Sequence, residues 1–320
     1  MNRIKFGFTM PADQLDKTRR NTYVDDLNKA LDLISGHFDS AWIIDHLHDD
    51  DSDSLESFTA LSYMMALHPG LKFGHTVICQ SFRNPALLAK MGATLQFISG
   101  GRFLFGIGAG WNAAEYKAYG YDFPSARERV EQLEETLQII KAMWTETKAT
   151  FKGRHYQVTD AYCEPKPNPI PPIMVGAFRP KMLRLTAKYA DEWNVSSTGL
   201  IEYRRLVDEF ERICADANRD PSTVRRSWCG GCVCAPTQAE IERLAGSRDY
   251  DNDPDGDCDL VGTPQQLIEQ MQAFMDLGVT TFMVDCGGFP DLTTLEMLVN
   301  EVLPVLLKRN STRSERRASP

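Results

Sequence analysis

The chain has 320 residues, 42% hydrophobic and 25% charged, which suits a globular protein with a large core, built as one large barrel or two ordinary domains. A formal net charge of −9 argues against nucleic acid as the main partner. No apolar run nears the roughly 20 residues that span a bilayer, and no signal peptide opens the chain, so a cytoplasmic protein with no membrane partner is expected.

Strand and helix signals alternate along the sequence. Ile4 to Thr9 reads as a first strand. Leu27, Ala30, Leu31 and Ile34 fall at helical spacing and predict a helix over Tyr23 to Ile34. A second strand is predicted over Ser40 to Ile44, ending at Asp45-His46, then a helix over Leu55 to Ala66 and a third strand over Leu71 to Cys79. Pro85 suits the first turn of a helix running to Ile98, and Arg102 to Ile107 is the fourth strand. Val130, Leu133, Leu137, Ile140, Met143 and Trp144 predict a long helix over Ala126 to Thr145. Thr150 to Thr159 reads as an exposed hairpin, and the proline-rich stretch Pro165 to Pro172 as extended.

The second half continues the rhythm. Strands are predicted over Ile173 to Val175, Glu192 to Val195, Val224 to Val233 and Thr281 to Val284. Helices are predicted over Lys181 to Ala190, Tyr203 to Ala217, Pro264 to Leu277 and Leu292 to Leu307. Eight strands alternating with helices predict a parallel sheet closed into a (β/α)8 TIM barrel over residues 1–307, with a doubly wound open sheet as the alternative. The polar residues from Lys308 to Pro320 predict a disordered tail.

In either fold, ligands bind at strand C-termini. The fourth strand runs straight into Gly108-Ala109-Gly110, where the lack of side chains lets backbone approach a ligand. Gly106, Gly108 and Gly110 do not complete a dinucleotide fingerprint, because the next required glycine position is Trp111 and no clear acidic strand end follows.

Other strand ends offer Thr76 to Gln80, Gly176 to Arg179, Asn194 to Ser197, and Asp285 to Gly288. His46 is the candidate for proton chemistry, since imidazole titrates near neutrality; Asp45 beside it could orient the ring or cap a helix. Gly176-Ala177-Phe178-Arg179 opens a helix, so its free N–H groups, with Arg179 and Lys181, suit an anion such as phosphate. Ser196 and Ser197 could add hydroxyl donors. An ordinary strand–helix turn with surface cations is the alternative for that segment.

Eight cysteines in a chain this long do not suggest a disulfide scaffold. Cys79, Cys163, Cys214 and Cys286 read as small buried side chains, and Cys229-x-x-Cys232-x-Cys234 as a small-residue strand, so no metal is expected. Asp251, Asp253, Asp255 and Gly256 begin like an EF-hand loop, but position twelve is Gly262, and a solvated acidic loop is the preferred reading.

Five ordered motifs carry a family resemblance. They are Asp45-His46, Arg83-Asn84-Pro85-Ala86-Leu87-Leu88-Ala89-Lys90, Ser99-Gly100-Gly101-Arg102-Phe103, Gly106 to Asn112, and Ala187-Lys188-Tyr189-Ala190-Asp191-Glu192-Trp193-Asn194. Together they resemble the luciferase-like flavin-dependent oxidoreductases, and within them the branch assigned to the deazaflavin coenzyme F420. The resemblance implies a TIM barrel that binds a flavin-type cofactor at the strand ends, with His46 near the reactive ring and Asp45 beside it. It implies a strained peptide around Thr76-Val77 supporting the ring, phosphate contacts at Gly176 to Arg179 and at Ser196-Ser197, and Gly110 and Trp111 lining the pocket. Some deazaflavin relatives carry a glutamate at the position of Trp111.

Hydride transfer between F420 and a small organic substrate is the activity so implied, in a homodimer. The alternative is an FMN-dependent monooxygenase that uses oxygen and needs a flavin reductase partner.

Overall fold

Strand β1 (Lys5–Thr9) leads to helix α1 (Tyr23–Ile34), which buries Leu27, Ala30, Leu31 and Ile34 as its period requires. Strand β2 (Ser40–Ile43) is followed by α2 (Ser57–Leu67), capped by the Glu56 carboxylate, which accepts from the amides of Phe58 and Thr59. Strands β3 (Lys72–His75) and β4 (Ile78–Cys79) precede α3 (Pro85–Ile98), which has Asn84 as its cap and a proline in its first turn. After β5 (Phe103–Gly108) come the short α4 (Ala113–Ala118) and the long α5 (Ala126–Thr145), the latter opened by a Ser125–Glu128 capping box.

Strands β6 (Ala149–Lys152) and β7 (Gln157–Ala161) form an antiparallel hairpin. The rest runs β8 (Ile173–Gly176), α6 (Pro180–Tyr189), β9 (Glu192–Ser196), α7 (Leu200–Asp216), β10 (Arg225–Cys234) and α8 (Gln238–Ala245). Then follow β11 (Leu260–Gly262), α9 (Pro264–Asp276), β12 (Val279–Cys286), α10 (Thr293–Met297) and α11 (Leu303–Ala318). A computed structural model describes residues 3–12, 15, 17–48, 52–246 and 256–318, with 311–318 as backbone alone.

The elements fall into two compact units. One draws its described residues from Met1–Pro11, Thr18–Trp42 and Trp193–Pro320. In it β11, β10, β12, β1 and β2 pair in that order, all parallel. Phe6 of β1 lies opposite Phe282 of β12, their rings stacked with centroids 5.9 Å apart.

The other unit comprises Ala12–Lys17 and Ile43–Glu192. Here β5 pairs in parallel with β3, β4 and β8, and the Thr76 amide donates to the Ile43 carbonyl at 2.9 Å. Helices α3 and α5 pack closely: a Cβ at Gly92 would lie 3.0 Å from Trp144, whose indole donates to the Ala89 carbonyl. Trp144 also meets Phe105 edge-on at 5.2 Å.

Helices alternate with the strands β1, β2, β3 with its continuation β4, β5, β8, β9, β10 and β12, and this succession is the (β/α)8 barrel fold expected from the sequence. The hairpin and β11 are additions to it.

Some local features depart from the expected elements, were not expected, or fall outside the described residues. The third strand is not continuous from Leu71 to Cys79: it divides at Thr76-Val77, where the peptide bond is cis. Helices α4 and α8 and strand β11 are too short to show a period in sequence. The backbone of α11 continues to Ala318, where a disordered tail was expected. Lys308, Arg309, Arg313, Glu315, Arg316 and Arg317 lack a periodic apolar face but are good helix formers. Asp251, Asp253 and Asp255 of the acidic loop lie outside the described residues.

Candidate active site

Strand β2 ends where the chain turns out at Asp45 and His46, and the two side chains part company. Nδ1 of His46 lies 2.8 Å from Oε2 of Glu115, a residue of α4. The Glu115 side chain is only 2% exposed, against 26% for His46. The other carboxylate oxygen of Glu115 accepts from the backbone amides of Leu47 at 2.5 Å and His48 at 3.5 Å. Tyr119, just past α4, donates its hydroxyl to the Leu47 carbonyl and stacks on His48. Trp111, 71% exposed, meets the His46 ring edge-on with centroids 5.6 Å apart. The loop after β2 is thus held from α4, with one edge of the imidazole bonded and the ring partly open to solvent.

Asp45 does not orient His46, contrary to expectation. Its buried carboxylate accepts from Arg83 at 2.6 and 2.9 Å, from the Ser57 hydroxyl at 2.5 Å and from the Cys79 amide at 2.9 Å. Four donors leave it no capacity for the imidazole. Arg83 also bonds Glu56, at 2.7 Å. Burial would raise the Glu56 carboxyl, but its bonds from Thr59, Arg83 and Phe58 outweigh that and hold it down to about 2.

Sequence reasoning missed Glu115. Its signal was Asn112-Ala113-Ala114-Glu115, an N-cap followed three residues later by an acid. Asn112 does cap α4 by accepting from the Ala114 amide at 3.1 Å, while Glu115 turns inward to the β2 loop.

The strand-end glycines are closed by the protein's own side chains. A Cβ at Gly108 would fall 2.8 Å from Cγ2 of Val77, and one at Gly176 would fall 3.4 Å from it. Val77 therefore nests against the ends of β5 and β8, next to the cis Thr76-Val77 peptide. Gly110 has φ +76°, and a Cβ there would meet the Tyr116 hydroxyl at 2.1 Å and the Cys79 sulfur at 2.7 Å. Its carbonyl accepts from Arg129 at 3.2 Å. Burial pushes the Cys79 thiol up to about 11, despite its bond with Tyr116.

At the end of β8, Ala177 is buried while Phe178 and Arg179 are exposed. Arg179 is the N-cap of α6 and its own side chain makes no cap hydrogen bond, so the first turn of that helix is suited to an anion. His46, Asp45, Thr76, Val77, Gly108, Gly110, Trp111 and Gly176 to Arg179 all belong to one unit.

Asn194, Ser196 and Ser197 belong to the other unit. Asn194 is turned into that unit's strands: its amide donates to the Ser227 hydroxyl at 3.1 Å and its oxygen accepts from the Cys229 thiol at 3.5 Å. Ser196 is exposed. Ser197 has φ +40°, donates its amide to the Cys229 carbonyl, and places its hydroxyl 3.5 Å from Asp259.

Cys229, Cys232 and Cys234 are buried in β10, as are Cys79, Cys163, Cys214 and Cys286 in their own segments. Burial drives the Cys232 and Cys286 thiols well up and Cys234 to about 12, which keeps these groups neutral and unreactive.

The chain is similar to several known proteins. The chain is 32% identical over 300 residues to an F420-dependent glucose-6-phosphate dehydrogenase of Amycolatopsis mediterranei (strain U-32), covering 84% of this chain and 90% of the relative. An F420-dependent secondary alcohol dehydrogenase, solved with an F420-acetone adduct, superposes with a TM-score of 0.79 at 20% identity, over 95% of this chain and 99% of that one. Monooxygenase RslO1 from Streptomyces bottropensis has a TM-score of 0.81 at 17% identity, over 94% and 99%. The family described as luciferase-like monooxygenase matches residues 5–252, and the chain belongs to that family.

Proposed function

We propose that this protein is an oxidoreductase that moves hydride between coenzyme F420 and the alcohol or carbonyl carbon of a small organic substrate. The observation that carries the chemistry is His46, a partly exposed imidazole at the C-terminal end of β2, bonded on its other edge by a buried acid. The cofactor is supported by the similarity to the F420-dependent glucose-6-phosphate dehydrogenase over most of the chain.

The residues fit such a group. Val77 packs against the ends of β5 and β8 at Gly108 and Gly176, so its apolar side chain is the surface these strand ends offer to a ring. The first turn of α6, with Arg179, suits a phosphate. When bound, the deazaflavin supplies a carbon centre that accepts or returns hydride and scarcely activates oxygen.

His46 accepts the hydroxyl proton of an alcohol as its carbinol carbon gives up hydride, and returns that proton in the reverse direction. Trp111, edge-on to His46 and largely exposed, forms the wall against which substrate is placed. Cytoplasmic location and a homodimer without a reductase partner complete the reading.

Anaerobic incubation with oxidised F420 and a set of alcohols and sugar phosphates tests it. Substrate-dependent bleaching of the deazaflavin is expected. Oxygen uptake with reduced FMN, without bleaching of F420 by any of these compounds, would replace this reading with flavin monooxygenation.

A further inference from the structure

We infer that Glu115 is a positioning residue that holds His46 as its Nδ1–H tautomer, so that Nε2 is the bare nitrogen that takes the substrate proton. The inference rests on the hydride-transfer reading above for its catalytic consequence, and on geometry alone for the tautomer.

Backbone N–H groups only donate, so the Glu115 oxygen facing Leu47 and His48 is an acceptor. The second oxygen lies 2.8 Å from Nδ1. A carboxylate has no hydrogen to give, so Nδ1 must carry it. Both nitrogens of a neutral imidazole cannot be protonated, so Nε2 keeps its lone pair. Unconstrained histidine prefers the opposite form, with hydrogen on Nε2. Glu115 therefore reverses an intrinsic preference.

The arrangement is rigid for identifiable reasons. Glu115 is buried, three of its contacts go to consecutive residues of one loop, and Tyr119 closes the same loop through the Leu47 carbonyl. Asp45, the acid adjacent in sequence, is occupied by Arg83, Ser57 and Cys79.

The chemistry balances. In alcohol oxidation the O–H proton passes to Nε2, and the O–H electron pair forms the carbonyl π bond. The C–H pair leaves as hydride to the bound cofactor. The imidazolium so formed stays paired with Glu115, and the reverse reaction returns the proton.

The substitution Glu115→Gln makes the test sharp. One carboxamide atom must still accept from the Leu47 amide, so the oxygen stays there and the NH2 group faces Nδ1. That donor favours a bare Nδ1 and hydrogen on Nε2, reversing the tautomer. The measurement is long-range 1H–15N correlation on the full chain with 15N-histidine, at alkaline pH, with the His46 signals assigned by their loss in His46→Gln.

Wild type is expected to show Nδ1 protonated and Nε2 bare, and Glu115→Gln the reverse. The kcat of Glu115→Gln should fall about ten- to a hundredfold, with F420 affinity within about twofold of wild type. Wild-type His46 with hydrogen on Nε2 overturns the inference, whether or not the variant folds. An unchanged tautomer and unchanged kcat in Glu115→Gln would also overturn it. A wild-type chain with hydrogen on Nδ1 that fails to bind F420 would overturn the hydride-transfer reading and leave the tautomer assignment standing.

Discussion

Arg83 grips both oxygens of the Asp45 carboxylate, at 2.6 and 2.9 Å, where the Asp45 side chain is 1% exposed and that of Arg83 10%. The pair joins the segment after β2 to the segment before α3, and through Ser57 and Cys79 it reaches the start of α2 and the end of β4. It sets the frame in which His46 stands.

Breaking this pair from one side leaves Arg83 with Glu56 alone, or the buried Asp45 with only the Ser57 and Cys79 donors. Asp45→Asn and Arg83→Met should each lower stability by about 3–5 kcal/mol. The double variant should lose clearly less than the sum, because the second change removes the group stranded by the first. Urea unfolding of the four proteins checks this. Single variants within about 0.5 kcal/mol of wild type, or additive losses, would show that the pair is not a structural tie.

His75 gives a pH dependence of known sign. Its ring is fully buried between Phe58, at 4.3 Å, and Phe103, at 5.9 Å, and neither ring nitrogen has a hydrogen-bond partner among the described residues. Burial lowers its pKa from 6.5 to about 4. The unfolded chain therefore binds the proton first as pH falls. The stability due to the neutral ring is complete above about 6.5 and drains away as pH drops towards 4, by about 3 kcal/mol. His75→Phe should flatten that slope between pH 6.5 and 4 in denaturant midpoints; an unchanged slope would assign the acid sensitivity elsewhere.

Gly108 and Val77 should couple. Adding a methyl group in Gly108→Ala forces the new Cβ against Val77 Cγ2, 2.8 Å away, and should cost about 1–3 kcal/mol and weaken cofactor binding. Val77→Ala in the same chain should restore much of both losses. If Gly108→Ala alone is neutral, Val77 does not set the close approach of these strand ends.

Much of the fold was legible because several helices carry an apolar period or a start signal. Tyr23–Ile34, Pro85–Ile98 and Ala126–Thr145 formed where their apolar spacing or start signals placed them. The site was less legible, and for physical reasons. Glu115 sits on six helical residues, too few for periodicity, and its contacts to His46, Leu47 and His48 are 67 to 69 positions away in sequence. Asp45 adjoins His46 in sequence, which suggested a partnership that its bonds to Arg83 rule out. Gly108 and Gly110 read as room for a ligand, yet their missing side chains are answered by Val77, Tyr116 and Cys79. Such pairings depend on which strand ends meet, and no local pattern records that.

His46→Ala separates proton transfer from binding. Its kcat should fall about 100- to 10,000-fold, while the dissociation constant for F420 changes little, because the imidazole acts on the substrate proton. Steady-state rates beside equilibrium binding read the two effects apart. Full turnover in His46→Ala would remove this residue from the mechanism.

The most direct test of the cofactor assignment is an equilibrium titration of the purified apo-protein with F420 and, separately, with FMN, followed by intrinsic tryptophan fluorescence, since Trp111 stands exposed against His46. Saturable quenching by F420, at concentrations well below those needed with FMN, is expected. Tight binding of FMN with no response to F420 would contradict hydride transfer through a deazaflavin.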